Sequence, residues 1–229
     1  MLKHISFKTK DEWLGFRLQG ISATDTGALL GMGSFGKTKM DVYMKCVHHR
    51  EKKMDENSEA LLRGQMLEPL IRKSFMVDYS DIYQVKEPPK KGNWVWFDTN
   101  VDYFRGSLDG YLIRKQDGKK GVLEIKTVDV MRQADLQAWE SGELPNQYYC
   151  QVLSYMAITG WTFAVLRARI RVYEYNGKEK KLNQIITKDY YITTEDKKVR
   201  DEVGYVKKVV KDFWENNVLK KQIPSITIQ

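Results

Sequence analysis

The stretch 106-GSLDGYLIRKQDGKKGVLEIKT-127 decides how the middle of this 229-residue chain folds. Asp117-Gly118 lies between two β-rich runs and reads as a two-residue type I′ hairpin turn. That turn pairs Gln116 with Lys119, then Tyr111 with Glu124 and Asp109 with Lys126. Directly paired residues share a face, and so do alternate residues along a strand. Asp109, Glu124 and Lys126 therefore converge on one face, with Asp109 diagonal to Glu124. Leu112, Leu123 and Ile125 form an apolar set on the other. A one-residue bulge at the turn would undo this register.

Two carboxylates and a lysine at the end of a half-buried hairpin have a chemical use. Asp and Glu are hard oxygen ligands suited to Mg²⁺, which takes few protein ligands and keeps several waters. A cation held there can activate water toward phosphorus and neutralise charge on the leaving oxygen, beside the lysine. The plainer alternative is a solvated, salt-bridged hairpin.

Outward from the hairpin, WVWFD (94–98), residues 103–114 and residues 121–128 read as strands. Residues 11–30 read as helical, as do 39–49 and a segment capped by Ser58 that carries Leu61, Leu62, Met66, Leu70 and Ile71. Pro69 is expected to kink that last helix. Residues 145–160 are expected to be helical and 161–193 to form long strands. A final helix, 195–221, puts Val199, Val203, Val206, Val210, Phe213 and Trp214 on one face. Helices before and after a central sheet indicate an α/β or α+β sandwich, and with no repeat or linker the chain reads as one domain over 1–229.

With 42% hydrophobic residues the chain can build a core, and its net charge of +8 suggests a polyanionic partner, nucleic acid first. Two cysteines, Cys46 and Cys150, argue against a disulfide scaffold or a Cys-rich metal cluster. No apolar run has the ~20 residues of a membrane span and the N-terminus has no apolar leader, so a soluble, cytoplasmic protein is expected.

Residues 31–38, GMGSFGKT, match the phosphate-loop pattern G-x-x-x-x-G-K-[ST]. A true loop of this kind is delivered by a buried strand, whereas Thr24, Asp25, Thr26 and Gly27 break the run ahead of it. The alternative is a glycine-rich corner between helices, with Lys37 free to contact DNA phosphate.

Asp109-x(n)-Glu124-x-Lys126, with Leu108 where the motif's name has Pro, resembles the core of the PD-(D/E)XK nucleases. Trp13 to Asp25 (WLGFRLQGISATD) is similar to the W-x3-R-x2-G-I-[ST]-A-S motif of the phage lambda-exonuclease, or YqaJ-like viral recombinase, family; Thr24 stands where Ser is usual. Gly64 to Glu68 resembles that family's G-x-x-x-E helix, and Gln147 to Gln151 its Gln-x3-Gln helix. The four motifs occur in order over roughly 11–160.

The resemblance implies a restriction-endonuclease-like fold, with a central mixed sheet flanked by helices. It implies that Asp109, Glu124 and the Ile125 backbone carbonyl bind one or two Mg²⁺ ions, with Mn²⁺ substituting, and that Glu68 joins them. Lys126 would activate water or stabilise charge, and Gln151 would orient Lys126 or the nucleophile. Arg17, Thr24, Gln147 and Lys37 would contact DNA. The implied activity is exonucleolytic digestion of one strand at double-stranded DNA ends, 5′ to 3′. The implied partner is a single-strand annealing protein of the RecT or Red-beta type, and the implied assembly a trimeric ring. Another PD-(D/E)XK endonuclease, a phosphate-loop ATPase and a non-catalytic DNA-binding module are the alternatives.

Overall fold

The computed structural model describes residues 1–33, 36–51, 58–89, 93–142, 144–177 and 179–225. The strands are β1 (Leu2–Phe7), β2 (Ile21–Ser22), β3 (Tyr83–Lys86), β4 (Asn93–Asp98), β5 (Phe104–Gly106), β6 (Gly110–Arg114), β7 (Lys120–Val130), β8 (Phe163–Asn176) and β9 (Glu179–Thr193). The helices are α1 (Lys10–Leu18), α2 (Thr26–Leu29), α3 (Lys39–His48), α4 (Glu59–Asp78), α5 (Gln133–Glu140), α6 (Asn146–Thr159) and α7 (Lys197–Phe213).

The mixed central sheet runs β3-β6-β7-β8-β9, with β7 and β8 parallel and the other pairs antiparallel. Helices cover both faces, so the expected α/β architecture with a central mixed sheet is the one found. On one face Leu112, Leu123, Ile125, Phe163 and Val165 pack against Ile71 and Phe75 of α4. On the other, Val122, Ala164, Leu166, Ala168 and Ile170 join α6 and α7 in the larger core. The run Val122-Leu123-Glu124-Ile125 is buried throughout because β7 is central and both its faces are covered. A second sheet, β1-β4-β5-β2, packs beside α6 and was not anticipated from the sequence.

The hairpin forms with a different register. Tyr111 pairs with Val122 rather than Glu124, and Gly110 pairs with Leu123. The loop spans Lys115 to Gly118: Arg114 N–H donates to the Lys119 carbonyl at 2.9 Å and Gly118 N–H to the Arg114 carbonyl at 2.8 Å. Gly118 takes a φ of 70°, a region that disfavours side chains. The Asp117 carboxylate fixes this wider turn by accepting from Arg114 and from Lys119 N–H. The slip is two positions, Val122 in place of Glu124, so every side chain keeps its face. Carried one position past the last pair, Gly110–Leu123, this register sets Asp109 across from Glu124 rather than from Lys126.

Other expectations are corrected. Residues 11–30 are not one helix. After α1, the Ile21 N–H goes to the Tyr103 carbonyl (2.7 Å) and the Ser22 N–H to the Asp25 carboxylate (2.7 Å), which takes both donors out of any helical ladder. Residues 103–114 are two strands in different sheets. Between them the Ser107 and Leu108 carbonyls accept from Tyr155 Oη (2.8 Å) and Trp94 Nε1 (2.6 Å), which replaces the missing strand partners. On α4 the sheet-facing stripe is Leu67, Ile71 and Phe75. Met66 and Leu70 are 75% and 60% exposed, and Pro69 lies within the helix without ending it. Regular α-helix ends at Phe213; Trp214 begins a wider turn and stacks on Tyr103 with centroids 4.8 Å apart. Among the described residues, no helix is long and apolar enough to cross a membrane.

Candidate active site

Asp109 leads into β6 and Glu124 lies on β7, both at the end of the hairpin ladder. Asp109 Oδ2 accepts the Ile125 N–H at 2.8 Å, which ties it to the residue between Glu124 and Lys126. Glu124 is 1% exposed. Its Oε1 takes the Lys126 ammonium at 2.7 Å and the Gln151 amide at 2.8 Å, while its Oε2 is buried with no hydrogen-bond partner. The three residues that the sequence places on one face do meet there.

Burial first, and the Asp109 charge second, push the Glu124 carboxyl up to about 8. Burial also raises Asp109, against the pull of Lys126 and the Ile125 N–H. Lys126 is raised as well: burial acts against its charge, but the Glu124 and Asp109 carboxylates outweigh it. Without a cation, burial and mutual repulsion thus make the carboxylate pair hold on to a proton above the usual carboxylate range.

Helix α6 supports the pair from one side. Gln151 Nε2 also donates to Tyr155 Oη at 2.8 Å, one helical turn on, and Tyr155 Oη reaches the Ser107 carbonyl. Gly106 allows this: a Cβ there would lie 2.7 Å from the Tyr155 ring. The Tyr148 ring lies 5.4 Å from the Lys126 ammonium. Sequence reasoning passed over Tyr155, although its i+4 spacing from Gln151 is the available signal. Gln147 lies half-buried at the start of α6, and its side chain makes no hydrogen bond among the described residues.

Beside the carboxylates opens a cleft of about 660 Å³, with Asp109, Ser107, Trp13, Arg17, Thr24 and Glu68 on its walls. Arg17 stacks on Trp13 at 4.6 Å, and Trp13 Nε1 donates to Ser107 Oγ at 3.1 Å. Thr24 is exposed, its hydroxyl 3.0 Å from Ser22 Oγ. Glu68 comes from α4 and is raised to about 7 by burial and by Asp109. Its carboxylate is held by Arg72, a residue the sequence reading did not single out. Glu68 does not close on the other two: among the described residues, no group of three Asp, Glu, His or Cys stands in metal-holding geometry.

Lys37 is not free for phosphate. Its ammonium lies 2.6 Å from Asp25 Oδ1 and 3.3 Å from Glu51, and Asp25 is buried between it and Lys45. The described part of the GMGSFGKT segment follows α2 rather than a strand, so the setting of a phosphate loop is absent there; Ser34 and Phe35 lie outside the described residues.

Residues 12–162 match the model of the YqaJ-like viral recombinase domain family. The chain belongs to this family. As a YqaJ-like protein it is 23% identical over 218 residues to the uncharacterized protein YqaJ of Bacillus subtilis (strain 168), covering 95% of this chain but 59% of that relative. The chain thus spans under two thirds of that relative's length. Its fold is similar to the alkaline exonuclease LHK-Exo of Laribacter hongkongensis, with a TM-score of 0.54, 17% identity, and coverage of 93% and 97% of the two chains. The same enzyme in complex with dAMP matches equally, with a TM-score of 0.54. A phage-related exonuclease of Haemophilus somnus 129PT matches at a TM-score of 0.50 and 10% identity, over 88% and 96% of the chains. The YqaJ-like motifs around Trp13, Glu68, Asp109–Lys126 and Gln151 all fall inside the matched span.

Proposed function

We propose that this YqaJ-like chain is a divalent-cation-dependent DNA exonuclease that digests one strand of linear duplex DNA from the 5′ end. The exposed 3′ strand would then serve a single-strand annealing partner, and a trimeric ring around the duplex would make digestion processive. The observation that carries the nuclease reading is the unpartnered, buried Glu124 Oε2, next to an Asp109 that lines the cleft. A buried carboxylate oxygen left without a donor is costly in isolation and suited to a cation.

Asp109, Glu124 and the Ile125 carbonyl would hold the cation, Mg²⁺ or Mn²⁺, with Glu68 as a further carboxylate. When bound, the cation supplies water activation and neutralises charge at the scissile phosphate. Lys126, held charged by the two carboxylates, contributes a fixed positive charge beside the scissile phosphate rather than a base. Gln151 keeps Glu124 in one orientation while Tyr155 anchors Gln151 to the Ser107 backbone. Arg17 and Thr24 bind backbone phosphate at the DNA end, and the stacked Trp13 fixes the direction of Arg17.

The test is digestion of linear and closed circular duplex DNA carrying labelled strand ends, with Mg²⁺ or EDTA. Loss of only the linear form, only with Mg²⁺, and from the 5′ label first supports the reading. Cutting of the closed circle, or equal digestion in EDTA, overturns it.

A further inference from the structure

Arg72 lies one helical turn beyond Glu68 on α4, and only 6% of it is exposed. Its guanidinium holds the Glu68 carboxylate and comes within 3.6 Å of Glu87 Oε1. Its Nε is buried without a partner, and the side chain lines the same cleft as Asp109 and Arg17. Lys73 and Arg17 add further positive charge to those walls.

Arg72 Nη2 holds Glu68 Oε1 while Nη1 faces Glu87, and this charge-assisted contact competes with a cation for the Glu68 charge. Glu68 still acts on Asp109 and Glu124 from where it stands, and pairing with Arg72 offsets part of that repulsion in the cation-free chain. This accounts for a site in which two carboxylates meet and the third stands aside.

We propose that Arg72 is the internal counterion of the site and a positioning residue for Glu68. It withholds Glu68 from Asp109 and Glu124 until a divalent cation draws the carboxylate across. The freed guanidinium, still anchored near Glu87, then takes a phosphodiester oxygen of the substrate in the cleft. This deepens the nuclease reading of the site and rests on it. No bond is made or broken in the exchange; one ion pair is replaced by another.

The test is calorimetric titration of Mn²⁺ into the full chain without DNA, for wild type, Arg72→Gln, Glu68→Gln and the double variant. Arg72→Gln should bind Mn²⁺ roughly tenfold more tightly, the scale of one charge-assisted hydrogen bond no longer competing. At saturating Mn²⁺ the same variant should cut DNA at least about tenfold more slowly, because the phosphate contact is gone. A purely structural role would weaken both. In the Glu68→Gln background, Arg72→Gln should leave Mn²⁺ affinity unchanged. Tightening that persists there overturns the exchange, since it would reflect only the loss of a nearby positive charge. Equal or weaker Mn²⁺ binding by folded Arg72→Gln also overturns it. If that variant does not fold, Arg72→Lys replaces it: a single point charge competes less well, so affinity must still rise, and no rise overturns the proposal. A wild-type chain that binds Mn²⁺ and cuts DNA while these variants fail sinks the exchange alone. A wild type that neither binds nor cuts sinks the nuclease reading with it.

Discussion

The Ile125 amide donates to the Asp109 carboxylate at 2.8 Å, joining the two hairpin strands where their ladder ends at Gly110 and Leu123. Asp109 thus has a structural bond and a charge, and the two are separable. Asn keeps a carbonyl oxygen for the Ile125 N–H but carries no charge. Asp109→Asn should melt within a few degrees of wild type yet cut DNA at least about 100-fold more slowly, since one charged ligand of the site is gone. Asp109→Ala should also lose about 1–3 kcal/mol of stability by leaving that amide unpaired. Thermal melts beside an end-labelled digest check both, and near-normal cleavage by Asp109→Asn would contradict the site.

Glu124 predicts a dependence on pH that is independent of activity. Burial and the Asp109 charge raise its carboxyl to about 8, above an unfolded value of ~4.3. A raised carboxyl binds its proton more tightly in the folded chain. The stability it contributes is therefore present below pH ~4 and is lost as pH rises toward 8. Glu124→Gln carries no charge at any pH and keeps an oxygen for Gln151 and Lys126. In EDTA it should melt a few degrees above wild type at pH 8.5 and level with it at pH 4, on a scale of about 2–4 °C per kcal/mol. Adding Mn²⁺ at pH 8.5 should raise wild type and leave the variant nearly unmoved. Equal melting of the two in EDTA at pH 8.5 would show that the carboxylate repulsion is absent.

How much was legible in the sequence depended on whether the determining interaction was local. Side-chain parity on β6 and β7 has a period of two, so Asp109, Glu124 and Lys126 were placed on the right face even though the turn was misread. The turn itself was not legible, because Arg114 and Lys119 extend Asp117-Gly118 into a wider loop through side-chain bonds. The sheet change at Ser107–Asp109 depends on Tyr155 and Trp94, distant in sequence, which supply the missing backbone partners. Strand β1 escaped notice because its central residues are exposed and lack clear alternation. The pairing of Lys37 with Asp25 and Glu51 was not legible either, because neither carboxylate lies at a spacing that local structure alone would bring to it.

The Asp25 network should behave as a structural unit. Asp25 is fully buried, bonded to Ser22, and paired with Lys45, itself 1% exposed, and with Lys37. Burial would raise its carboxyl, but the two lysine charges outweigh this and hold it well below the usual range. A depressed carboxyl contributes stability that is present above its unfolded value, ~3.9, and is lost as pH falls further. Asp25→Asn leaves two lysines without their buried counter-charge and should cost about 3–5 kcal/mol in denaturant melts at pH 7. The deficit should shrink below pH ~4. Lys37→Ala, at a side chain 26% exposed, should cost less and should leave DNA cleavage largely intact. An ATP-dependent activity lost in Lys37→Ala would instead favour a phosphate-loop function.

Gln151 and Tyr155 form the last support behind the site, and their chemistry separates orientation from packing. Gln151 Nε2 serves both Glu124 Oε1 and Tyr155 Oη at 2.8 Å, and the phenol passes the chain of bonds to the Ser107 carbonyl, which adjoins the cleft. Tyr155→Phe keeps the ring that fills the space against Gly106 and removes only the hydroxyl. It frees one Gln151 proton and leaves the Ser107 carbonyl without that donor, so Glu124 loses its fixed partner geometry. The expected cost is about 1 kcal/mol in stability and a roughly tenfold lower kcat, the scale of a supporting contact around metal ligands. Gln151→Glu should be worse. It places a third carboxylate against Glu124, removes the donor to it, and should lower kcat by about 100-fold or more across the whole cation series. Steady-state digestion across a Mg²⁺ series measures both, and a Tyr155→Phe enzyme with unchanged kcat would remove Tyr155 from the site.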